Sequence, residues 1–170
     1  MRTDKVECFE YLVHLLIKRR PDKYQDFTTL KLIKLLFFTV GISSTEKEDG
    51  LTGIFNNFVA MPYGPVESDI YTNIQKGSSR RYRITPNSLN VINDKIPFEV
   101  EEELESKIEE ALDKLLTKNP NILECQAFQL VDISHKWSCW RICYHIAIEN
   151  GKRSIGIPSE MIKDSIKYYQ

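Results

Sequence analysis

Glycine and proline are scarce in this chain of 170 residues, with seven of each, which excludes collagen-like and low-complexity proteins. No run approaches the roughly 20 apolar residues that cross a bilayer, so no membrane partner is expected. Neither sign of charge prevails, because 23 Lys and Arg stand against 24 Asp and Glu, for a formal net charge of -1. This balance predicts no general attraction to nucleic acid or to anionic membranes.

Signals for export and for oxidation are also missing. Asp4, Glu7 and Glu10 precede the apolar part of residues 1–20, and no small-residue cleavage site follows, which is not the pattern of a signal peptide. The cysteines lie in helix-like segments without a loop-rich framework, so we expect reduced core thiols. They are Cys8, Cys125, Cys139 and Cys143. The sequence therefore predicts a cytoplasmic protein.

Apolar residues recur mostly at helical spacing and predict a mainly α fold with a few short β-strands (α+β). The length favours a single domain over residues 1–170, with about six to seven helices. The helices are predicted to begin near Thr3, Thr28, Pro65, Pro97, Ile122, Ser138 and Ser159. Gly77 is expected to end the third helix and Asn119 the fourth, whereas the fifth should reach Ile133 and the sixth Glu149. Extended segments are predicted at 54–61, 82–92 and 154–157.

The helix predicted from Thr28 is the most apolar one. Thr28 is expected to cap it and Gly41 to end it. Apolar side chains cover nearly its whole circumference, which is typical of a central buried helix. Lys31 and Lys34 are the exceptions.

Proline and serine mark two further predicted helix starts. Pro65 suits the first turn of a helix that continues through Ile74. Ser159 is expected to cap the last helix, which should turn Ile166 and Tyr169 inward.

Candidate metal ligands and catalytic groups cluster between residues 132 and 143. His135, Cys139 and Cys143 are spaced by four, and on one continuous helix they would offer zinc an imidazole and two thiolates. The segment has no CxxC pair and no fourth ligand, so no metal is expected. Asp132 and Ser134 precede His135, but adjacency does not supply the geometry of a triad, and no GxSxG elbow is present. The sequence also has no nucleotide-binding loop. We therefore expect no cofactor and no enzyme activity.

Two other segments offer binding chemistry. KGSSRRYR, residues 76–83, combines basic and aromatic side chains that can contact a phosphodiester backbone. A charged exposed loop or a complementary protein interface explains it as well, so nucleic acid is not the expected partner. Trp137 and Trp140 belong to a residue type enriched at binding hot spots. Trp140 is expected in the core, and Trp137 either in the core or at an interface.

Three segments, in this order, resemble the SocA-like (Panacea) antitoxins of bacterial and phage toxin–antitoxin systems. TTLKLIKLLFF, residues 28–38, is similar to the family's opening helix, with its threonine and its Leu-x-Lys-Leu core. AMPYGPVESDIY, residues 60–71, is similar to its Ala-Trp-x-Tyr-Gly-Pro-Val turn, with Met61 in place of the tryptophan. LVDISHKWSCWR, residues 130–141, is similar to its Leu-Ser-x-x-Thr-His segment, with Ser134 in place of the threonine.

The resemblance implies an antitoxin that neutralises a protein toxin encoded nearby, by direct binding and without catalytic residues. The positions that carry the resemblance are Lys31, Lys34, Leu35, Tyr63, Gly64, Pro65, Val66, Tyr71, His135 and Trp140. We expect the turn at 63–66 to pack near Trp140. A DNA-binding transcriptional regulator, an adaptor that delivers a bound protein to a protease, and a hydrolase or metalloprotein using His135 with Cys139 are the alternatives.

Overall fold

Seven α-helices and five short strands follow one another within residues 4–170, the part of the chain that this computed structural model describes. The helices are α1 (Lys5–Arg19), α2 (Thr29–Ser43), α3 (Ser68–Lys76), α4 (Glu102–Lys118), α5 (Ala127–His135), α6 (Ser138–Glu149) and α7 (Ser159–Asp164). The strands are β1 (Phe58–Met61), β2 (Gly64–Glu67), β3 (Tyr82–Ile84), β4 (Leu89–Val91) and β5 (Ile155–Gly156). The predicted α+β class is confirmed. Thr3, the predicted start of the first helix, lies outside the described residues.

α2 is the central helix, and it packs against α4, α5 and β2. Thr28 caps it as predicted, because its hydroxyl accepts from the backbone N–H of Lys31. The predicted end at Gly41 is wrong, since the helix continues to Ser43. Gly41 serves a packing contact instead: a Cβ added there would lie 2.6 Å from the indole of Trp137.

β1 is the middle strand of a three-stranded sheet in the order β2–β1–β5. β1 and β2 form an antiparallel hairpin in which Ala60 pairs with Pro65. The predicted helix start at Pro65 is therefore wrong; an edge strand tolerates proline because only one of its sides needs ladder hydrogen bonds. α3 begins at Ser68, where the Glu67 carboxylate accepts from two backbone N–H groups of the first turn. It ends as predicted at Gly77, which has a φ of +62°.

A second hairpin, β3–β4, confirms the extended segment predicted at 82–92, with Tyr82 paired to Val91. Arg81 stands just before this hairpin and is buried. Its guanidinium forms ion pairs with Glu7 and Glu10 of α1. The hairpin is thereby fastened to α1.

α4 begins five residues later than predicted, at Glu102 instead of Pro97. The carbonyl of Pro97 accepts from Arg81, and the backbone N–H of Glu99 donates to the Glu7 carboxylate at 2.9 Å. These contacts keep the segment before Glu102 non-helical. The predicted end of the helix at Asn119 is confirmed.

The helix predicted over 122–133 is split in two. A 3-10 turn covers Ile122–Glu124, and α5 begins only at Ala127. The backbone N–H of Gln126 donates to the Gln129 side chain at 2.7 Å, which starts the new helix. α6 has the predicted bounds, Ser138–Glu149.

The last helix is shorter than predicted. Its cap is Pro158 instead of Ser159, and α7 ends at Asp164. Ile166 therefore lies beyond the helix and is 72% exposed instead of turned inward. Tyr169 is buried as predicted.

Candidate functional site

Side chains of α5 and α6 hold the turn between β1 and β2. The indole N–H of Trp140 donates to the carbonyl of Met61 at 2.7 Å. Nε2 of His135 lies 3.2 Å from the carbonyl of Pro62, a hydrogen bond in the tautomer that carries the proton on Nε2. The expectation that the turn packs near Trp140 is confirmed, with the contact made through Met61 at the edge of the turn.

Lys34 holds the other strand of the hairpin from inside the core. Its ammonium donates to the carbonyl of Pro65 at 2.7 Å, and the residue is 0% exposed. Within residues 4–170 it has no carboxylate partner. Burial disfavours the charged form, and it lowers the pKa of Lys34 to about 7. The hairpin is thus fixed by a buried lysine that has a single neutral acceptor among residues 4–170.

Gly64 is required where β2 begins. Its φ is +102°, a backbone conformation that side chains other than hydrogen resist. An added Cβ would also lie 2.4 Å from the hydroxyl of Ser134 and 3.1 Å from Nζ of Lys34. Close approach of α2 and α5 to the hairpin therefore depends on this glycine.

Three aromatic rings stack across the junction of α5 and α6. The His135 ring lies on the Trp140 ring with centroids 4.0 Å apart and an interplanar angle of 12°. Trp140 stacks in turn on Tyr144, at 4.9 Å and 14°. Burial lowers the pKa of His135, which favours the neutral ring in this stack. The stack gives this junction a rigid aromatic surface.

Two further rings, one from the turn and one from α5, are exposed to solvent. Tyr63 of the turn meets Phe128 of α5 edge to face, with ring centroids 5.5 Å apart. They are 57% and 59% exposed, respectively. We call the set formed by Tyr63, Phe128, His135, Trp140 and Tyr144 the aromatic surface. Its members come from the turn, α5 and α6.

The other predicted family positions lie elsewhere. Leu35 and Val66 are buried in the core. Lys31 is also buried, beside the Asp26 carboxylate at 3.4 Å. Tyr71 is half-buried and lines a separate cleft beside α3. The structure brings six of the ten positions together around the turn, from the turn itself, β2 and the helices behind it: Lys34, Tyr63, Gly64, Pro65, His135 and Trp140.

The candidate metal and catalytic groups are engaged in other contacts. Among residues 4–170, no group of three or more His, Cys, Asp or Glu side chains could hold a metal ion. The break between α5 and α6 turns the ring of His135 onto Trp140, away from an arrangement on one helix with Cys139. The hydroxyl of Ser134 is buried and donates to the carbonyl of Val131 at 2.7 Å.

The basic segment at 76–83 does not present its residues on one surface. Arg81 and Tyr82 are buried, whereas Lys76, Arg80 and Arg83 are exposed. The basic and aromatic residues of this segment are therefore divided between the core and the surface.

Sequence reasoning did not identify Phe128 as a functional candidate, whereas Tyr144 was noted as a hot-spot residue type beside Trp140. Phe128 lies seven residues before His135, and Tyr144 four residues after Trp140, so each shares a helix face with a residue of the family motif. That spacing was the available signal. It could not show that the two helix faces meet, because this depends on the angle of the break at Lys136 and Trp137.

Comparison with known proteins identifies a family. The family model described as "Antitoxin SocA-like, Panacea domain" matches residues 32–141, nearly two thirds of the chain and most of the aromatic surface. Neither the curated proteins nor the solved structures yield a match. In the described residues, no helix has both the length and the apolar character needed to cross a membrane. The resemblance drawn from three short motifs is confirmed, and the chain belongs to the family of SocA-like antitoxins with a Panacea domain.

Proposed function

We propose that this protein is the antitoxin of a toxin–antitoxin pair and neutralises a protein toxin encoded beside it by direct binding. Membership of the antitoxin family implies a toxin as partner. Neutralisation by binding requires no catalytic residue and no cofactor. We also propose that residues 1–170 act as one domain in the cytoplasm, where the toxin would be made.

The aromatic surface is the observation that carries this proposal. Tyr and Trp are enriched at the centres of protein interfaces, because they bury a large area with few rotatable bonds. Tyr63 and Phe128 each leave more than half of their side chain exposed, although they contact each other. Adjoining exposed rings of this size are typical of protein-binding surfaces.

The same surface is held rigidly before any partner arrives. The hydrogen bonds of Trp140 to Met61 and of Lys34 to Pro65 fix the two strands on either side of Tyr63. A rigid contact residue loses little conformational entropy on binding. Tyr63 is therefore a suitable anchor for a protein partner.

The experiment is co-expression with the product of the neighbouring reading frame, in cells whose growth is followed. We expect the neighbour alone to stop growth, and this protein to restore growth and to co-purify with it. A neighbour that is harmless, or one whose toxicity persists without complex formation, contradicts the antitoxin function.

A pair of variants tests the surface itself. Tyr63→Ala with Phe128→Ala should weaken toxin binding by at least about tenfold, the loss typical of hot-spot residues. Tyr168→Ala with Ile166→Ala is the matched control, because it also removes two exposed apolar side chains, from the C-terminal segment. Melting temperatures of both double variants should stay near that of the unmodified protein. Equal toxin binding by the two double variants would show that the toxin binds another surface.

A further inference from the structure

A cleft of about 520 Å³ opens between the helices α1 and α3 on one side and the β3–β4 hairpin on the other. Its size lies within the range of small-ligand sites. Apolar side chains form much of its wall, among them Phe9, Ile74, Ile84 and Ile92. The aromatic surface contributes no residue to this cleft.

Two buried residues of the cleft lining carry hydroxyl groups that have no partner among residues 4–170. Tyr82 is 4% exposed and Thr29 is 8% exposed, and neither hydroxyl has a hydrogen-bond partner within residues 4–170. Neither hydroxyl oxygen is fully buried. In the described residues, the fully buried side-chain polar atoms without a hydrogen-bond partner are Nε of Arg20 and the hydroxyl oxygen of Tyr169. Both hydroxyls therefore remain free to bind a group that enters from solvent.

The cleft lining holds one cation and one carboxylate, Arg83 and Glu10. Arg83 lines it and is exposed, and no carboxylate of the described chain lies within ion-pair distance of its guanidinium. Glu10 is the acidic residue of the lining, and it is already bound by Arg81 and Ser79. Thr29 is also the first residue of α2, whose N-terminal dipole favours an anion.

We propose that this cleft binds a carboxylate carried on an apolar or aromatic group. Arg83 and the hydroxyls of Tyr82 and Thr29 supply charge-assisted hydrogen bonds to the carboxylate. Ile84 and Ile92 cover the apolar part of the ligand. Toxin binding through the aromatic surface does not explain the exposed part of the basic segment at 76–83. Ligand binding in the cleft gives this part a role.

The same chemistry is found in an acidic, apolar segment of a bound protein and in a free organic acid. A nucleic-acid strand fits less well, because Arg81 and Tyr82 are buried and the remaining cations do not follow an aromatic platform. The proposal does not depend on the toxin, since the cleft can be tested on this protein alone.

The test is a titration of the ¹⁵N-labelled protein followed by NMR. The probes are 3-phenylpropionate, its neutral amide, and the capped dipeptide N-acetyl-Phe-Glu-amide, each up to about 10 mM. We expect both carboxylates to shift the amide signals of Thr29, Arg83 and Ile92, and the neutral amide to bind at least about fivefold more weakly. Tighter binding of the dipeptide identifies a protein segment as the ligand, and tighter binding of 3-phenylpropionate identifies a free acid.

Two variants link the binding to the named groups. Arg83→Gln should remove the preference for the carboxylate over the amide, and Tyr82→Phe should weaken carboxylate binding while keeping the buried ring. Arg153→Gln is the matched control, because Arg153 is exposed and lies outside the cleft lining. Absence of shifts at these positions, equal binding of acid and amide, or an Arg83→Gln variant that behaves like the unmodified protein would each overturn the proposal.

Discussion

The ammonium of Lys34 donates to the carbonyl of Pro65 at 2.7 Å in a part of the core that solvent does not reach. Burial lowers the pKa of Lys34 to about 7, against 10.5 for an exposed lysine. Between pH 7 and pH 10.5, Lys34 is therefore protonated in the unfolded chain and deprotonated in the folded protein. The free energy of unfolding must therefore rise with pH in this window. The stability gained in this way is lost again as the pH falls toward 7.

Lys34→Met should remove this rise. Between pH 7 and pH 9 the unmodified protein should gain about 2 kcal/mol of unfolding free energy relative to the variant, as measured by urea denaturation. Burial raises the pKa of Cys8 and Cys139 to about 11, which acts in the opposite direction, but both proteins share this effect. Lys107→Met, at an exposed lysine, is the control. Parallel pH profiles for Lys34→Met and the unmodified protein would contradict the prediction.

Gly41→Ala should destabilise the protein even though alanine favours helices. The helical preference contributes about 1 kcal/mol in favour of alanine. The new Cβ would lie 2.6 Å from the buried Trp137 ring, and such overpacking typically costs about 1–3 kcal/mol. Thermal unfolding should show a lower melting temperature for Gly41→Ala. Gly53→Ala is the control, because a Cβ at Gly53 meets no atom within 4 Å. A variant at Gly41 as stable as the control would show that Trp137 can move without cost.

Arg81→Gln should cost about 3–5 kcal/mol of unfolding free energy, because it leaves the buried Glu10 carboxylate without its cation. Arg80→Gln, the neighbouring exposed arginine, should change stability by less than about 0.5 kcal/mol. In chemical denaturation, Glu10→Gln combined with Arg81→Gln should be less destabilising than the sum of the two single changes. Strict additivity would mean that the two side chains do not interact.

Cys125 should be the thiol that reacts first in the folded protein. It is partly exposed, whereas Cys8, Cys139 and Cys143 are buried. Burial also raises the pKa of the Cys8 and Cys139 thiols to about 11, so little thiolate forms at pH 8. Ellman's reagent should titrate one thiol rapidly and four in urea, and Cys125→Ser should abolish the rapid phase. Rapid reaction of several thiols in the native protein is the contrary result.

Local patterns were enough to identify much of this fold. The apolar run after Thr28 predicted a central helix with its cap, and the bounds of α6 were predicted without error. These features depend on contacts within a few residues, such as a cap hydroxyl and the spacing of side chains on one helix. The three motifs that indicated the family are local in the same sense.

Tertiary contacts decided the rest. Pro65 could equally start a helix or occupy an edge strand, and its pairing with Ala60 placed it in β2. Gly41 could end a helix, but the approach of Trp137 made it an interior packing position. Arg81 belongs to a basic segment, yet two carboxylates of α1 drew it into the core. The aromatic surface depends in the same way on segments distant along the chain, because Tyr63 meets Phe128 only once the hairpin packs against α5. Sequence patterns therefore specified the elements whose hydrogen bonds join residues near each other in the chain. The positions of side chains that contact distant segments followed only from the folded structure.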